Sequence, residues 1–582
     1  MDNKKNYEKN RISKIYNRYS GTFTISLIMI FAILVITIVS SFSNTTVATE
    51  PKDFVKNSAE AYFYSKDYEK AIEGYKELQS KKKWPIYNMK IAEIYSVQGK
   101  YEESNRIIED SVIKRYNLFD EHGKKEYEDL DNEFCNLVVF TLFMNGEYDK
   151  ALDYGQVFMS ENKDNYQLKR TMFAIYLAKG DKESAEEIIN TYDVDADSAY
   201  ELALYAKMRL TMEDWKGGVE ILRKAWYIDN DDIKIYDVIS EMAEYDSEKL
   251  IHVLTELIKE DPDEVSYKVL LAKCYSLDKN YSSKAIKLLE EIGNENLGKV
   301  MINSIKSDIY RNSGDDKKAE EFIENAISNS KNSYTGYYIK AENYYREGKY
   351  EKAFEACKSA IIEKNNFCEA YGELMPKILS SLSNNGDAEP YYRTALYYEP
   401  CNYNIMINAS DYYITNSIDK NEETSDFYLN LASLMKKNDD SLYYNIALLQ
   451  IENGDKYKAQ ELLEKCISIN GDNDDYHRLL GNIYYDQQSY EEAIKEYRKA
   501  YSLDENNIET LNNAACYYIM IEKDIPRGFI NIESAYKGIT DETEAEVKDI
   551  ITKNYNKIKD INEKYTKNNG NIKNIPTVEL IQ

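Results

Sequence analysis

Along this 582-residue chain one signature recurs, a helical stretch, a glycine, a charged segment and an alanine five positions after that glycine: Gly146/Ala151, Gly180/Ala185, Gly314/Ala319, Gly348/Ala353 and Gly454/Ala459. Ala151 and Ala185 lie 34 residues apart, as do Ala319 and Ala353, and Ala459 and Ala493. A period of that size is one helical hairpin. A hairpin cannot bury its apolar face alone, so the copies must stack into a solenoid. Glycine reaches the positive φ that ends a first helix, and alanine lets the second helix approach the first closely. Only 8 prolines and 22 glycines argue against a turn-rich β protein, and 30% charged residues suit helices with one solvated face. The chain is predicted to be all-α.

The repeat resembles the tetratricopeptide family, whose pattern is W-x2-L-G-x2-Y, then Ala, an aromatic and Pro. The best copy is His477-x2-Leu480-Gly481-x2-Tyr484, followed by Ala493, Tyr497 and Ala500, with Glu505 where the family often has Pro. A second copy is Ala341, Tyr344, Gly348, Tyr350, Ala353 and Ala360, and a third is Ala59, Tyr62, Tyr68, Ala71, Tyr75 and Leu78. Pro262 and Pro400 fall where the family closes a repeat. Copies around Trp215–Ala225 and Leu250–Leu257 keep the period and lose the letters, and the stretch from Val112 to Phe134 inserts extra helix. The resemblance implies an α-solenoid superhelix of about fourteen hairpins over residues 51–540. A polar helix over 541–566 is expected to cap the last apolar edge, and 567–582 reads as a flexible tail.

Ahead of the array no charged residue occurs between Arg18 and Glu50, and Thr22–Phe42 is almost wholly apolar. About 20 such residues span a bilayer core, whereas a signal peptide's apolar region runs to about 15. An uncleaved transmembrane helix over 22–44 is therefore expected, with the lipid bilayer as a partner. Residues 1–21 carry six basic and two acidic groups, a local +4, so this arm is expected in the cytoplasm and the array on the far side of the cell membrane. The rest of the chain then sums to −32 of the total −28. Such a surface repels phosphate backbones, so no nucleic-acid partner is expected. The abundance of Tyr, Asn, Lys and Ile is what A+T-rich codons give, a bias that points to a bacterium.

No catalytic constellation is legible. His122, His252 and His477 are far apart, no metal-ligand spacing or phosphate loop occurs, and the seven scattered cysteines read as small core residues. No enzyme activity, metal or cofactor is expected. The resemblance implies instead that first helices line a concave groove for a protein or peptide ligand. Its positions here are Tyr338, Glu342, Tyr345, Tyr444, Arg478, Asn482, Tyr485 and Asn512. Some family members clamp peptide carboxylates with Lys, Arg and Asn from three repeats. Arg478 and Asn482 match part of that clamp, but Asn512 and Cys516 stand where further clamp groups belong, so binding of peptide C-termini is not predicted. Three functions remain open: a scaffold that recruits or assembles envelope proteins, a peptide-sensing or transporter-associated subunit, and an enzyme of unrecognised type.

Overall fold

The computed structural model describes residues 55–581, apart from 123–127, 293–297, 383–386, 416–420, 437–438, 541–542, 571 and 573. Among these residues helices pair into consecutive hairpins and no strand occurs. The five glycines all adopt positive φ, between 73° and 81°. At Gly180 the mechanism is plain: its N–H donates to the Leu177 carbonyl, and the Asp181 N–H reaches back to Tyr176 (2.9 Å each). Asp181 then caps the next helix, its Oδ1 accepting from the Ser184 N–H at 3.1 Å. Gly454 and Asp455 repeat the arrangement, Asp455 accepting from the Lys458 N–H. Asp67, Asp214, Asp315 and Asp524 cap helices in the same way.

The turn also occurs without glycine. Lys66, Glu213, Gln488 and Lys523 take left-handed φ values of 56°, 65°, 63° and 59°. Five positions after each comes Ala71, Gly218, Ala493 or Gly528, the same small contact residue. Ala71, Ala151, Ala185, Ala353, Ala459 and Ala493 are all fully buried.

The chain divides into two compact units after Lys436. In the first, eleven hairpins run from Ser58–Tyr64/Tyr68–Ser80 to Tyr403–Thr415/Glu422–Met435. The extra helix expected between Val112 and Phe134 is taken up by one long second helix, Tyr101–His122, followed by Glu128–Met144. The weak copy near Leu250 is a hairpin bent at Asp246, whose φ of −159° interrupts Ile233–Glu260. Early hairpins close on the segment from Asn366 to Lys436. Tyr68 Oη donates to Glu389 Oε2 (2.7 Å), Arg393 Nη2 to Ser96 Oγ (2.6 Å), Tyr200 Oη to the Asn366 carbonyl (2.6 Å) and Tyr403 Oη to the Glu241 carbonyl (2.9 Å). This unit therefore fills an inner face with its own later helices.

In the second unit the hairpins Asp440–Asn453/Lys456–Ile469, Asp474–Asp486/Tyr490–Leu503 and Ile508–Tyr517/Ile525–Lys537 are followed by the long helix Ala545–Lys567. Val547, Ile551, Ile558 and Ile561 of that helix bury against Ile519, Ile525 and Ile532. The described residues carry eleven hairpins before Lys436 and three after.

The expectation of a single-pass membrane protein is corrected. No helix among the described residues is long and apolar enough to cross a membrane. The segment 22–44 and the basic arm lie outside the described residues, and neither anchoring nor topology is carried forward.

Candidate binding groove

The second unit gathers amide side chains on one face. Arg478 and Asn482 lie one turn apart on Asp474–Asp486, Asn512, Asn513 and Cys516 on Ile508–Tyr517, and Asn554 on Ala545–Lys567. The four asparagines are at most 1% exposed. They fix one another: Asn513 Nδ2 donates to Asn482 Oδ1 (2.8 Å), Asn512 Nδ2 to Asn513 Oδ1 (3.0 Å) and Asn554 Nδ2 to Asn512 Oδ1 (2.9 Å). From the second helix of its hairpin, Tyr497 Oη donates to Asn482 Oδ1 at 2.9 Å. A buried carboxamide left unsatisfied costs about 1–3 kcal/mol, so such a row demands partners.

The partner is main chain. The Glu579 N–H donates to Asn554 Oδ1 (3.1 Å) while the Glu579 carbonyl accepts from Asn554 Nδ2 (2.7 Å) and Asn512 Nδ2 (3.1 Å). Two residues on, the Ile581 N–H donates to Asn513 Oδ1 (2.8 Å), and its carbonyl accepts from Asn513 Nδ2 (2.7 Å), Asn482 Nδ2 (2.8 Å) and Arg478 Nη1 (3.2 Å). A carboxamide carries the same donor and acceptor as a peptide unit, so Asn513 and Asn554 each pair with one residue as a neighbouring strand would. The bonded residues, 579 and 581, lie two apart and each meets the asparagines through its main chain alone. The end of the chain, expected to be a flexible tail, is thus held in place. Helical periodicity does not reveal this, because the segment is not a helix and its partners are four asparagines spread over three different helices.

Charge at the groove is balanced. Arg478 Nη2 pairs with Glu509 (2.9 Å) and Asp475 (3.2 Å). Burial works against its charge, but these two carboxylates hold its pKa above the ordinary value. Burial pushes the Cys516 thiol up as well, so it stays a thiol and donates to the Glu579 carbonyl at 3.2 Å.

Of the eight residues expected to line a groove, Arg478, Asn482 and Asn512 meet at this one segment. Tyr444 and Tyr485 are half-buried in the same unit and pack against neighbouring rings, Tyr444 tilted on Tyr476 (5.0 Å) and Tyr485 edge-on to Tyr490 (5.6 Å). Tyr338, Glu342 and Tyr345 belong to the first unit. Tyr338 is core, 5% exposed, its ring edge-on to Phe367 at 5.0 Å. Glu342 sits 3.8 Å from Arg346, and Tyr345 packs on Tyr350. Asn513 and Asn554 were not singled out from the sequence. Asn513 neighbours a groove position, and Asn554 lies in the capping helix, outside any repeat register.

The first unit holds a different buried polar cluster. Lys234 Nζ bonds both Glu369 and Glu399, and Lys207 Nζ reaches Glu399 (3.0 Å) and Glu241 (2.7 Å). Burial pushes Glu399 up, but Lys234 and Lys207 outweigh it and bring its pKa to about 2. Ligand atoms of Cys368, Glu369 and Glu399 lie within 4.8 Å of one another. The Lys234 ammonium already stands where a cation would bind the two carboxylates, so the cluster reads as an ion-pair network.

Models of the tetratricopeptide repeat match residues 303–333 and 440–473, and a TPR repeat model matches 481–518, the stretch that contains Asn482, Asn512 and Asn513. The chain carries tetratricopeptide repeats at these three stretches. Such repeats generally mediate protein–protein interaction and commonly take peptide or protein partners in a groove. Among solved structures the chain is similar to yeast Tom70 (14% identity over 82% of this chain and 94% of that one, TM-score 0.34). It is also similar to the Cut9–Hcn1 hetero-tetramer of APC/C (12%, 79% and 96%, TM-score 0.31). A third is YrrB, described as a TPR protein with an unusual peptide-binding site (16%, 32% and 94%, TM-score 0.28). Among curated proteins no relative is found.

Proposed function

We propose that this chain is a protein-interaction scaffold rather than an enzyme, and that the asparagine face of its second unit binds extended peptide segments of partner proteins. One observation carries the reading: Asn513 and Asn554 each give both a donor and an acceptor to the main chain of an extended segment. Recognition of this kind is strand-like and reads few side chains. The acidic balance of the chain supports a protein ligand over nucleic acid. The envelope role rested on a membrane anchor and is not part of this reading.

The test is selection of peptides from a displayed random library on the full chain, followed by titration of the selected peptides against Asn513→Ala/Asn554→Ala. Truncating groups at an interface centre costs roughly 2 kcal/mol or more, about thirtyfold in affinity. Selected peptides that bind the folded double variant as tightly as the wild type would place the binding face elsewhere.

A further inference from the structure

We propose that the segment Thr577–Ile581 is an internal ligand of this groove, displaced by a partner peptide that is extended and carries apolar residues three positions apart, in the places of Val578 and Ile581. The proposal rests on the reading of the asparagine face as a peptide site and adds what occupies it and what it selects.

The bonds that hold Glu579 and Ile581 fall on main-chain atoms, and Lys557 Nζ likewise bonds the Thr577 carbonyl at 2.9 Å. These contacts accept any residue, so they fix register and direction but not sequence. Sequence enters through apolar side chains. Ile581 is buried, 4% exposed, and joins the cluster of Leu511, Ala515 and Ile551. Val578, Ile575 and Ile572 pack against the same cluster at intervals of three, while Asn574, Thr577 and Glu579 face outward. Because Glu509 and Asp475 neutralise Arg478, the site takes an uncharged main-chain carbonyl rather than requiring an anion.

Segment and partner would use the same donors, so their binding is mutually exclusive. A segment tethered through the few residues after Asn568 competes at an effective concentration on the order of millimolar. Partner affinity is therefore lowered by the fraction of time the groove is filled.

The probe is an amidated, fluorescein-labelled peptide with the sequence of Asn574–Ile581, titrated by anisotropy into the full chain. Wild type is expected to bind it at least tenfold more weakly than Ile581→Asp, in which the apolar anchor is lost. Adding Asn513→Ala/Asn554→Ala to Ile581→Asp should abolish binding. Equal affinity for wild type and Ile581→Asp overturns the internal-ligand proposal while leaving the groove as a peptide site. Binding that survives the asparagine changes overturns the groove itself. If Ile581→Asp does not fold, a protease site at Asn569–Gly570, cut after folding, replaces it. The released segment should then exchange for the labelled peptide, and failure to exchange at any peptide concentration overturns the proposal. If wild-type chains pair in sedimentation and Ile581→Asp chains do not, the occupant is a second copy's segment and the partner-peptide assignment falls.

Discussion

Replacing Gly481 by alanine tests whether the contact inside a hairpin and the groove above it form one mechanical unit. A Cβ at Gly481 would lie 2.6 Å from Tyr497 Cε1, 2.7 Å from Cδ1 and 3.3 Å from the Ala493 carbonyl oxygen. Carbon atoms prefer about 3.5–4.0 Å, so the ring or the helix must move by about 1 Å. Tyr497 has little freedom to do so, being buried and tied through its hydroxyl to Asn482. Overpacking of this kind costs about 1–3 kcal/mol. Weakening the Tyr497–Asn482 bond adds about 1 kcal/mol. Alanine is the better helix former by about 1 kcal/mol, which roughly cancels that addition. The net expectation is a loss of about 1–3 kcal/mol.

The measurement is native-state hydrogen exchange of the full chain, followed in fragments covering 474–503 and 574–581. Because Asn482 also holds the Ile581 carbonyl, both fragments should lose protection together. Gly155→Ala is the comparison: there a Cβ would come within 2.0 Å of Met172 Sδ, nominally a worse clash. Methionine has three free torsions, so that side chain yields where the tyrosine does not, and the cost should be smaller. Increased protection in Gly481→Ala, or loss in 474–503 with none in 574–581, would refute the coupling.

In the first unit, Ala353→Leu should open the hairpin Tyr334–Arg346/Tyr350–Glu363 locally at about 1–3 kcal/mol; unchanged exchange there would contradict the close helix contact. Lys234→Met should destabilise by about 3–5 kcal/mol because Glu369 and Glu399 lose a buried counter-ion, and adding Glu369→Gln should recover part of it, as read from urea midpoints. Burial, reinforced by Glu369 and Glu244 and opposed by Lys377, raises Glu373 to about 7, and burial raises Asp232 to about 6 against bonds from Tyr334 and the Lys234 N–H. The folded state keeps protons the unfolded state has released, so this stabilisation is full below the ordinary carboxyl range and is lost as pH rises through about 6–7. Tm should therefore rise as pH falls from about 8 to about 5.5, and a Glu373→Gln variant with an equally steep slope would contradict the assignment.

The repeat was legible because its turn is local. Gly146, Gly180, Gly314, Gly348 and Gly454 announce a left-handed residue, and an alanine at a fixed offset announces the contact that follows. The same turn at Lys66, Glu213, Gln488 and Lys523 carries no distinctive letter, so those copies show only through the repeat's other letters, which are present around Lys66 and Gln488 and missing around Glu213. The closure of the first unit was not legible. Tyr68 with Glu389 and Lys207 with Glu399 pair across more than a hundred residues, at positions a nearest-neighbour stacking rule treats as groove or surface. Tyr338 shows the consequence, since the position expected to meet a partner meets Phe367 instead.

The groove was half legible for a related reason. Arg478, Asn482 and Asn512 occupy repeat positions, so the period located them, but what they hold depends on chemistry the period does not carry. Asparagine in a helix interior is a poor helix former, and four of them buried side by side would be a liability in a unit stabilised only by stacking. They persist without penalty when a main chain lies across them and satisfies each amide twice, as at Asn513 and Asn554. The buried asparagine row and the apolar spacing of Ile572, Ile575, Val578 and Ile581 are therefore two halves of one recognition surface. The asparagines meet main-chain atoms alone, which any extended chain presents, and that is the argument for treating the face as a site another chain can enter.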